Sequence, residues 1–276
     1  MTRGGRARAG RVLGDSAMGL IAFLMLAPVA VIVVLSFSTD PSLIFPPEQW
    51  GFTRYTDFLG SSYWTGALWK SVEIGIPAAA LATVVGVPAA IAVERTRLPG
   101  RELLVVAGMA PLILPGIAYA VALYAFYADA QLLGTVPGVV LGHAMLSLPF
   151  VIVIVVAGLR RTPKELELVA MSLGASRARA TWGITIRLLV PSITAAFLLS
   201  FITSFEEGVL VNFLGGSDSI TLPKAIYDSL RTGVEPLITA IAVVLMVGTG
   251  VLALLIRLLR ARIEAGSDSR RGVTAG

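Results

Sequence analysis

Cysteine is absent from this chain, and histidine occurs only once, as His143, among 276 residues. Without cysteine the chain can form no disulfide, and it offers no thiol nucleophile and no cysteine metal ligand. A single histidine limits acid–base chemistry and argues against a zinc site of ordinary composition. The sequence also lacks G-x-x-x-x-G-K-[ST], the loop that holds nucleotide phosphates, and any recognisable Ser-His-Asp set. We therefore expect the chain to be no catalyst by itself, and to bind no metal or cofactor of its own.

Charged residues are scarce as well, at 14% of the chain, whereas 56% of the residues are hydrophobic and the mean hydropathy is +0.84. A soluble domain carries roughly 25% charged residues. Most of this chain must therefore face lipid or other apolar protein surface. In a membrane protein the net charge of +5 indicates cytoplasmic loops rich in Lys and Arg, so we expect lipid and not nucleic acid as a partner.

Six apolar stretches are long enough to cross a bilayer, which takes about 20 mostly apolar residues in a helix. They are Ala17–Phe37, Leu68–Val93, Leu103–Tyr127, Val136–Leu159, Leu188–Leu210 and Pro236–Leu259. The third contains Pro111, Pro115 and Gly116, which membranes tolerate where neighbouring helices or a cavity satisfy the freed backbone groups. The first is longer than a signal-peptide core of about 7–15 residues, so we do not expect it to be cleaved. The sequence predicts an all-α polytopic membrane protein with six transmembrane helices.

Basic residues are distributed unevenly between the two sides of these spans. Four precede the first span, three lie between the second and third, six between the fourth and fifth, and five lie at the end of the sixth span or after it, making 18. The opposite side has 4, namely Arg54, Lys70, Lys224 and Arg231. Because Lys and Arg concentrate on the cytoplasmic side, we place both termini in the cytoplasm. The predicted organisation is a basic cytoplasmic segment 1–16, a six-span domain 17–260 with a cytoplasmic loop 160–187, and a cytoplasmic tail 261–276.

The loop 160–187 interrupts the apolar pattern with a polar, glycine-containing stretch that predicts two short helices. Thr162 and Glu165 fit a capping box with Pro163 at the first helical position. Gly174 is placed where a helix end favours a left-handed residue, and Ser176 can cap a second short helix, Arg177 to Ile186. An apolar stripe follows the i, i+3, i+4, i+7 spacing of one helix face. It consists of Leu166, Val169, Ala170 and Leu173.

Two other interpretations of this loop remain open on periodicity alone. An amphipathic helix could lie at the lipid interface, with Arg177 and Arg179 touching anionic headgroups. A DNA-binding helix-turn-helix has a similar outline, but the short tethers to two membrane spans argue against it.

The residue types in the loop are more specific than its periodicity. Their order resembles the EAA loop, which is the cytoplasmic coupling loop of ABC importer permeases. That pattern is roughly Glu-Ala-Ala, three residues, Gly, nine residues, then Ile-x-Leu-Pro. Gly174 and Ile184 fit it in register, Ala170 matches the last alanine, and Glu167 matches an acidic residue common before the triplet. The departures are Leu168 for the glutamate, Val169 for the first alanine, and Arg187 for the proline, with Pro191 four residues on.

Two further segments extend the resemblance to most of residues 15–262. "WGFTRYTDFL" at 50–59 is similar to a Trp-Gly-Phe-Thr segment common before the second span of such permeases. "SFITSFEEGVLVNFLGG" at 200–216, followed by "ITLPKAIYDSLRTGVEP" at 220–236, resembles the fifth-span region of spermidine/putrescine permeases. The second of these also predicts a Ser219–Thr221 turn and a short amphipathic helix, Pro223–Leu230.

The resemblance implies a type I ABC importer permease in a bacterial cytoplasmic (inner) membrane, with polyamine as its cargo. It implies a second permease subunit, as a hetero-pair or a homodimer, two cytoplasmic ABC ATPases that use ATP and Mg, and an extracytoplasmic solute-binding protein. The residues that it assigns to ATPase coupling are Glu167, Val169, Ala170, Leu173, Gly174, Ala175 and Ile184.

Charged and aromatic side chains in the spans suggest a solute path, because intramembrane charges are expensive and mark functional sites. The adjacent carboxylates of Glu206 and Glu207 repel one another unless a cation is near, and a polyamine would supply that cation. Alternatively, the two side chains lie at the lipid–water boundary or contact the binding protein. Glu73 could instead pair with Lys70, and tyrosines could offer faces to a cation or simply lie at the interface. The candidates are Glu206, Glu207, Glu73, Tyr119 and Tyr124.

Two other polar residues are given structural interpretations. Glu94, beside Arg95 and Arg97, is interpreted as a solvated helix end, and His143 as a hydrogen-bonded packing residue.

Other functions compete with polyamine import. A permease of the same family could carry ferric ion, sulfate or a phosphonate, although an anion would favour basic residues in the spans. A self-sufficient secondary transporter would want an inverted repeat, and we find none between the first and second sets of three spans. A membrane scaffold or insertase component would not need the coupling-loop register.

Overall fold

Helices dominate the fold. A computed structural model describes residues 3–96, 99–233, 235–251, 253 and 254. It describes their side chains as well, except those of 3–13 and 104. The helices are α1 (Arg3–Ser36), α2 (Thr53–Gly60), α3 (Ser62–Arg95), α4 (Arg101–Ile113), α5 (Gly116–Asp129), α6 (Val136–Arg161), α7 (Glu165–Ser172), α8 (Arg177–Ala180), α9 (Arg187–Glu206), α10 (Val209–Leu214), α11 (Leu222–Thr232) and α12 (Ile238–Val251). A π-helical turn, Thr181–Ile186, joins α8 to α9. The prediction of an all-α fold is confirmed.

Four helices in the described chain are long and apolar enough to cross a membrane by themselves. They are Gly14–Ser36 within α1, α3, α6, and the continuous run Arg177–Glu206. These correspond to the predicted first, second, fourth and fifth spans. Helix α12 covers the start of the predicted sixth span, whose residues beyond 254 lie outside the described part of the chain, so the count of six stays a prediction.

The predicted third span is two helices and not one. Helix α4 ends at Ile113, α5 begins at Gly116, and the pair is bent by 113°. Leu114 between them is extended, with φ −77° and ψ 137°. Proline disfavours helical geometry in the residue before it, so Pro115 explains why the helix stops there.

The described residues fall into two compact units. Of the described residues, the first comprises 3–65, 229–233 and 235–251, which include α1, α2 and α12. Here the segment after α1 folds back on the helix end. Ser38 bridges Trp50 in antiparallel fashion, and the rings of Phe37, Phe52 and Tyr55 contact one another at centroid distances of 5.4–6.1 Å. The "WGFTRY" segment is thus held by aromatic packing against the end of the first span.

The second unit, 66–228 with 253 and 254 of the described residues, is organised around α6. One apolar cluster joins α6 to α3 and α9, and it contains Ala82, Val151, Val155, Leu159 and Leu189. A second cluster joins the other part of α6 to α5 and α10. Its members include Tyr119, Leu123, Tyr127, Val139 and Leu210. Small residues line the first cluster, so these helices approach closely.

The loop after α6 differs from its predicted start. The expected capping box is wrong, because α7 begins at Glu165 and the Thr162 hydroxyl donates back to the Gly158 carbonyl at 3.1 Å. Thr162 therefore finishes α6 and does not begin α7. A hydroxyl near a helix end can bond the carbonyl four residues back, and this local bond competes with capping.

The end of the loop also differs from prediction. The helix that Ser176 caps does not stop at Ile186, because α8, the π turn and α9 form one run, Arg177–Glu206. The fifth span ends at Glu206 and not at Leu210, since Glu207 is extended and Val209 begins a separate helix. The predicted amphipathic helix Pro223–Leu230 is confirmed as α11, one residue longer at its start and two at its end.

Candidate functional site

The turn that ends α7 is a Schellman motif centred on Gly174. The Gly174 N–H donates to the Met171 carbonyl and the Ala175 N–H to the Ala170 carbonyl, both at 3.0 Å. Gly174 has φ +91°, as the motif requires, so the predicted left-handed turn is confirmed. A Cβ added there would meet nothing within 4 Å in this chain. A side chain at this position would therefore be opposed by the backbone angle and not by neighbouring atoms of the described residues.

The second half of the loop is capped and continuous with a span. The Ser176 hydroxyl oxygen accepts the Arg179 N–H at 3.3 Å, which confirms the predicted cap. From there the helix runs without interruption to Glu206. One unbroken helical run therefore joins the turn to the fifth span.

Most apolar side chains of α7 are left uncovered by the described residues. Leu173 is 83% exposed, Leu168 62% and Val169 57%, and α7 buries no side chain. Leu166 is exposed too, while Ala170, Ala175 and Ile184 are half-buried at the junction with the following helix. Because these apolar side chains lie on a polar loop between two spans, they are free to contact a partner protein or the lipid interface.

Glu167 is the member of the predicted coupling set with a side-chain partner. Its carboxylate accepts a hydrogen bond from the hydroxyl of Thr185, a fully buried residue in the π turn. The sequence analysis did not single out Thr185. The sequence carries no signal for it, because Thr185 follows Ala180 by five residues and a regular α-helix would not place the two on one face.

The adjacent acidic residues at the end of α9 have different roles. The Glu207 carboxylate accepts the backbone N–H groups of Val209 at 2.7 Å and Leu210 at 3.0 Å, and thereby holds the start of α10. The Glu206 side chain is exposed and makes no hydrogen bond or ion pair within the described part of the chain. The N–H groups at the start of α10 stabilise the negative charge of Glu207, and the carboxylate of Glu206 remains available to a cation.

Three contacts bring the end of α9 together with α3 and α11. The Ser71 hydroxyl oxygen accepts the Leu222 N–H at 2.8 Å. A Cβ at Gly75 would lie 3.1 Å from the Phe201 ring, and one at Gly208 would lie 3.1 Å from Pro223. These contacts place Glu206 at a junction of three elements.

Two other acidic residues, the candidate Glu73 and the helix-end Glu94, carry ion pairs. Glu73 pairs with Lys70 at 2.8 Å, the i, i+3 pair that the sequence suggested, and both side chains are partly exposed. Glu94 pairs with Arg160 of α6 at 3.5 Å. Its expected neighbour Arg97 lies outside the described residues. Because the charge of Glu73 is already compensated, Glu206 is the stronger candidate for a solute cation.

The two tyrosine candidates do not share a surface. Tyr119 is buried in the second apolar cluster with Tyr127, and neither hydroxyl has a hydrogen-bond partner among the described residues. Tyr124 is 49% exposed. A spacing of five residues on α5 places the two side chains in different directions, so one cation could not meet both rings.

His143 is fully buried between α6 and α9. Its Nδ1 lies 2.8 Å from the Ser204 hydroxyl, which agrees with the packing role inferred from the sequence. Ser147 makes a longer contact, 3.5 Å, from its hydroxyl to the Ser200 carbonyl on the same helix pair. These bonds join the fourth and fifth spans in their apolar interior.

Residues 4–265 match the protein family described as "Binding-protein-dependent transport system inner membrane component". The putrescine transport system permease protein PotI of Escherichia coli K12 is 28% identical over 253 residues, which cover 89% of this chain and 90% of PotI. The spermidine/putrescine transport system permease protein PotC of Haemophilus influenzae is 29% identical over 250 residues, 90% of this chain and 96% of PotC.

A solved structure has a similar fold. It is a bacterial ABC transporter involved in the import of the acidic polysaccharide alginate, and one of its chains matches with a TM-score of 0.73 at 17% identity. The match covers 93% of this chain and 98% of that chain. At this identity the similarity shows a shared fold alone.

Proposed function

Since the chain belongs to the family of binding-protein-dependent transport system inner membrane components, we propose that it forms half of the translocation pathway of an ATP-driven importer and couples to a separate ATPase through the loop 160–187. The chain is an inner-membrane ABC permease of type I fold, from a family of transport subunits and not of catalysts. The coupling and the cargo go beyond that assignment.

The observation that carries the coupling proposal is the continuity of the loop with the fifth span. An exposed apolar helix, α7, is followed by a Schellman turn, a capped helix start and an uninterrupted run to Glu206. A flexible tether would let the ATPase move without displacing the fifth span, whereas a continuous helix transmits the movement to that span. The exposed Leu168, Val169 and Leu173 supply the apolar contact that such a partner would cover.

The partners follow from what this chain lacks and from its family. The sequence contains no P-loop, so ATP and Mg would bind to two cytoplasmic ABC ATPase subunits. A second permease subunit, related or identical to this one, would complete the pathway. The family description calls the transport binding-protein-dependent, so an extracytoplasmic solute-binding protein would deliver the cargo to the loops on the outer side.

We infer that the cargo is a polyamine. The related PotI is named as a putrescine permease, and the related PotC as a spermidine/putrescine permease. The exposed carboxylate of Glu206, without a partner in the described chain and beside the engaged Glu207, offers a negative charge to a polycation. Opposite charge near the mouth of a path raises the local concentration of a solute.

The coupling proposal is tested by recovering the tagged chain from mild-detergent membranes and identifying the bound proteins by mass spectrometry. We expect a P-loop ATPase and a second permease with the wild type, and loss of the ATPase with Gly174→Asp. Aspartate at φ +91° costs roughly 1–2 kcal/mol in the turn and adds charge to the contact surface. Gly100→Asp is the matched control, since Gly100 also has positive φ and open space around it, outside the loop.

The proposal is wrong if the wild type recovers no ATPase, or if Gly174→Asp binds it as well as Gly100→Asp does.

The cargo is tested by uptake of labelled putrescine into cells that depend on this chain. We expect Glu206→Gln to reduce uptake at limiting putrescine roughly two- to fivefold, the size of one exposed ion pair. Glu48→Gln, which removes another exposed carboxylate on the same predicted side, should not reduce it. A polyamine cargo is excluded if uptake of the label does not depend on this chain, or if excess unlabelled putrescine and spermidine do not reduce it.

A further inference from the structure

The buried positions of the fifth-span run have a spacing that an α-helix does not produce. Ala180, Thr185 and Leu189 are each fully or almost fully buried, five and then four residues apart. An α-helix returns to one face every three to four residues. The π turn Thr181–Ile186 lies across the five-residue step and explains it, because its hydrogen bonds join residues five apart.

The π turn therefore decides where Thr185 points. One extra residue rotates the helix face by about 100° relative to a regular α-helix. With the π turn, Thr185 faces inward together with Ala180 and Leu189, and its hydroxyl donates to the Glu167 carboxylate on α7. Such turns occur frequently at functional sites.

Little else attaches α7 to the span. The helix has eight residues, buries no side chain, and contacts mainly α8 and the π turn that follow it. The Glu167 carboxylate has no other side-chain or backbone donor among the described residues. Apart from the covalent turn through Gly174, the Glu167–Thr185 bond is thus the polar connection between α7 and the base of the fifth span.

We propose that Glu167 and Thr185 are positioning residues that form an internal latch, defined as the bond between these two side chains. The latch makes α7, the helix that would meet the ATPase, move together with the fifth span. The inference rests on the proposed coupling function and deepens it. It also changes the role of Glu167, whose carboxylate is used inside the chain and not on a partner.

The latch separates two properties that a direct contact residue would change together. Binding of the ATPase depends on the exposed apolar side chains of α7, which the latch does not include. Transfer of movement depends on the link between α7 and the span. Removing the latch should therefore leave the complex assembled and reduce the solute transported per ATP hydrolysed.

The test uses the complete importer in proteoliposomes with its binding protein and labelled putrescine. Thr185→Val removes the hydroxyl at nearly constant shape, and Thr185→Ser retains it. Glu167→Ala removes the acceptor, and Glu165→Ala removes an exposed carboxylate from the same helix as a control. For each variant the amount of bound ATPase, the ATP hydrolysis and the uptake are measured.

We expect Thr185→Val and Glu167→Ala to bind the ATPase normally and to lose roughly tenfold in uptake per ATP, the size of one hydrogen bond to a charged group. Thr185→Ser and Glu165→Ala should behave like the wild type. Because both members act through one bond, the double variant should be no worse than either single variant.

Three results would overturn the latch: normal uptake per ATP in Thr185→Val, an equal loss in Thr185→Ser, or loss of bound ATPase in Glu167→Ala but not in Thr185→Val. The last would assign Glu167 to the partner contact. Failure of the wild type to bind any ATPase would instead refute the coupling function itself, and the latch with it.

Discussion

Asp40 and Arg54 show how single charged residues are stabilised beside the apolar spans. The Asp40 carboxylate accepts the Ser38 hydroxyl at 2.9 Å and the N–H groups of Glu48 and Gln49 at 3.0 and 3.4 Å. Arg54, only 5% exposed, donates to the carbonyls of Leu35 and Asp40 and to a hydroxyl of α12. The sequence marked Arg54 only as a charge on the outer side, but the structure uses it to hold the segment after α1.

The same contacts determine how Asp40 titrates. Burial of the carboxyl opposes ionisation, but the hydrogen bonds from Ser38, Glu48 and Gln49 and the charge of Arg54 outweigh it and lower the pKa of Asp40. A pKa that is lower in the folded state contributes stability above the unfolded value of about 3.9. That stability is lost as the pH falls through the folded pKa.

We therefore predict a steeper acid destabilisation of the wild type than of Asp40→Asn. Melting temperatures in mild detergent, measured from about pH 6 down to pH 3, should be higher for the wild type at pH 6 and converge with those of Asp40→Asn at the acid end. Asp57→Asn removes an exposed carboxylate of the same unit and should follow the wild-type curve. Parallel curves for wild type and Asp40→Asn would contradict the prediction.

At the scale of elements, glycines set the approach of the long helices in the second unit. A Cβ at Gly86 of α3 would lie 2.6 Å from Val151 Cγ1 and 2.9 Å from Val151 Cβ on α6. A Cβ at Gly158 of α6 would lie 2.9 Å from Ser192 Cβ on α9. Within a membrane, association of helices depends on close packing, and small residues permit it.

Gly86→Ala should therefore destabilise the chain by about 1–3 kcal/mol, the usual cost of overpacking a tight contact. Gly66→Ala on the same helix is the control, because a Cβ there meets nothing within 4 Å. Thermal melting of the detergent-solubilised chain should show a lower midpoint for Gly86→Ala than for Gly66→Ala. Adding Val151→Ala should recover part of the loss, since it removes the methyl groups that the new Cβ meets. Equal midpoints for Gly86→Ala and Gly66→Ala would show that the contact can relax freely.

At the scale of the whole molecule, charge decides the orientation in the membrane. In the second unit the Arg95 guanidinium donates to the carbonyls of Leu159 and Thr162 at 3.3 and 2.8 Å, and Arg160 pairs with Glu94. The basic ends of α3 and α6 therefore meet, so these basic residues lie on one side of the second unit. The orientation itself, with this end in the cytoplasm, stays a prediction.

Single cysteines can test the orientation cleanly because the sequence has none of its own. Ser172→Cys on α7 should react with a membrane-impermeant maleimide only after the inner membrane is opened. Ser217→Cys, exposed between α10 and α11, should react with the same maleimide while the inner membrane is still intact, once the reagent can reach its outer surface. The reverse pattern would invert the topology and remove α7 from the side where ATP is available.

The sequence by itself determined the features that depend on neighbouring residues. Apolar runs of sufficient length predicted four of the spans, because helix formation in lipid needs only local composition and internal hydrogen bonds. Gly174 and Ser176 predicted the turn in the loop, because backbone angle and capping are local properties. The spacing of Gly174 and Ile184 indicated the family, which the match over residues 4–265 confirmed.

The tertiary structure alone decided the features that depend on residues far apart in the chain. It distinguished Glu206 from Glu207 through the position of α10, and it separated Tyr119 from Tyr124 through the packing of α5. It also brought Thr185 to Glu167 across 18 residues. Such pairings depend on how each helix is rotated and packed against its neighbours, and a π turn or a break before a proline changes that rotation without changing the hydrophobic pattern.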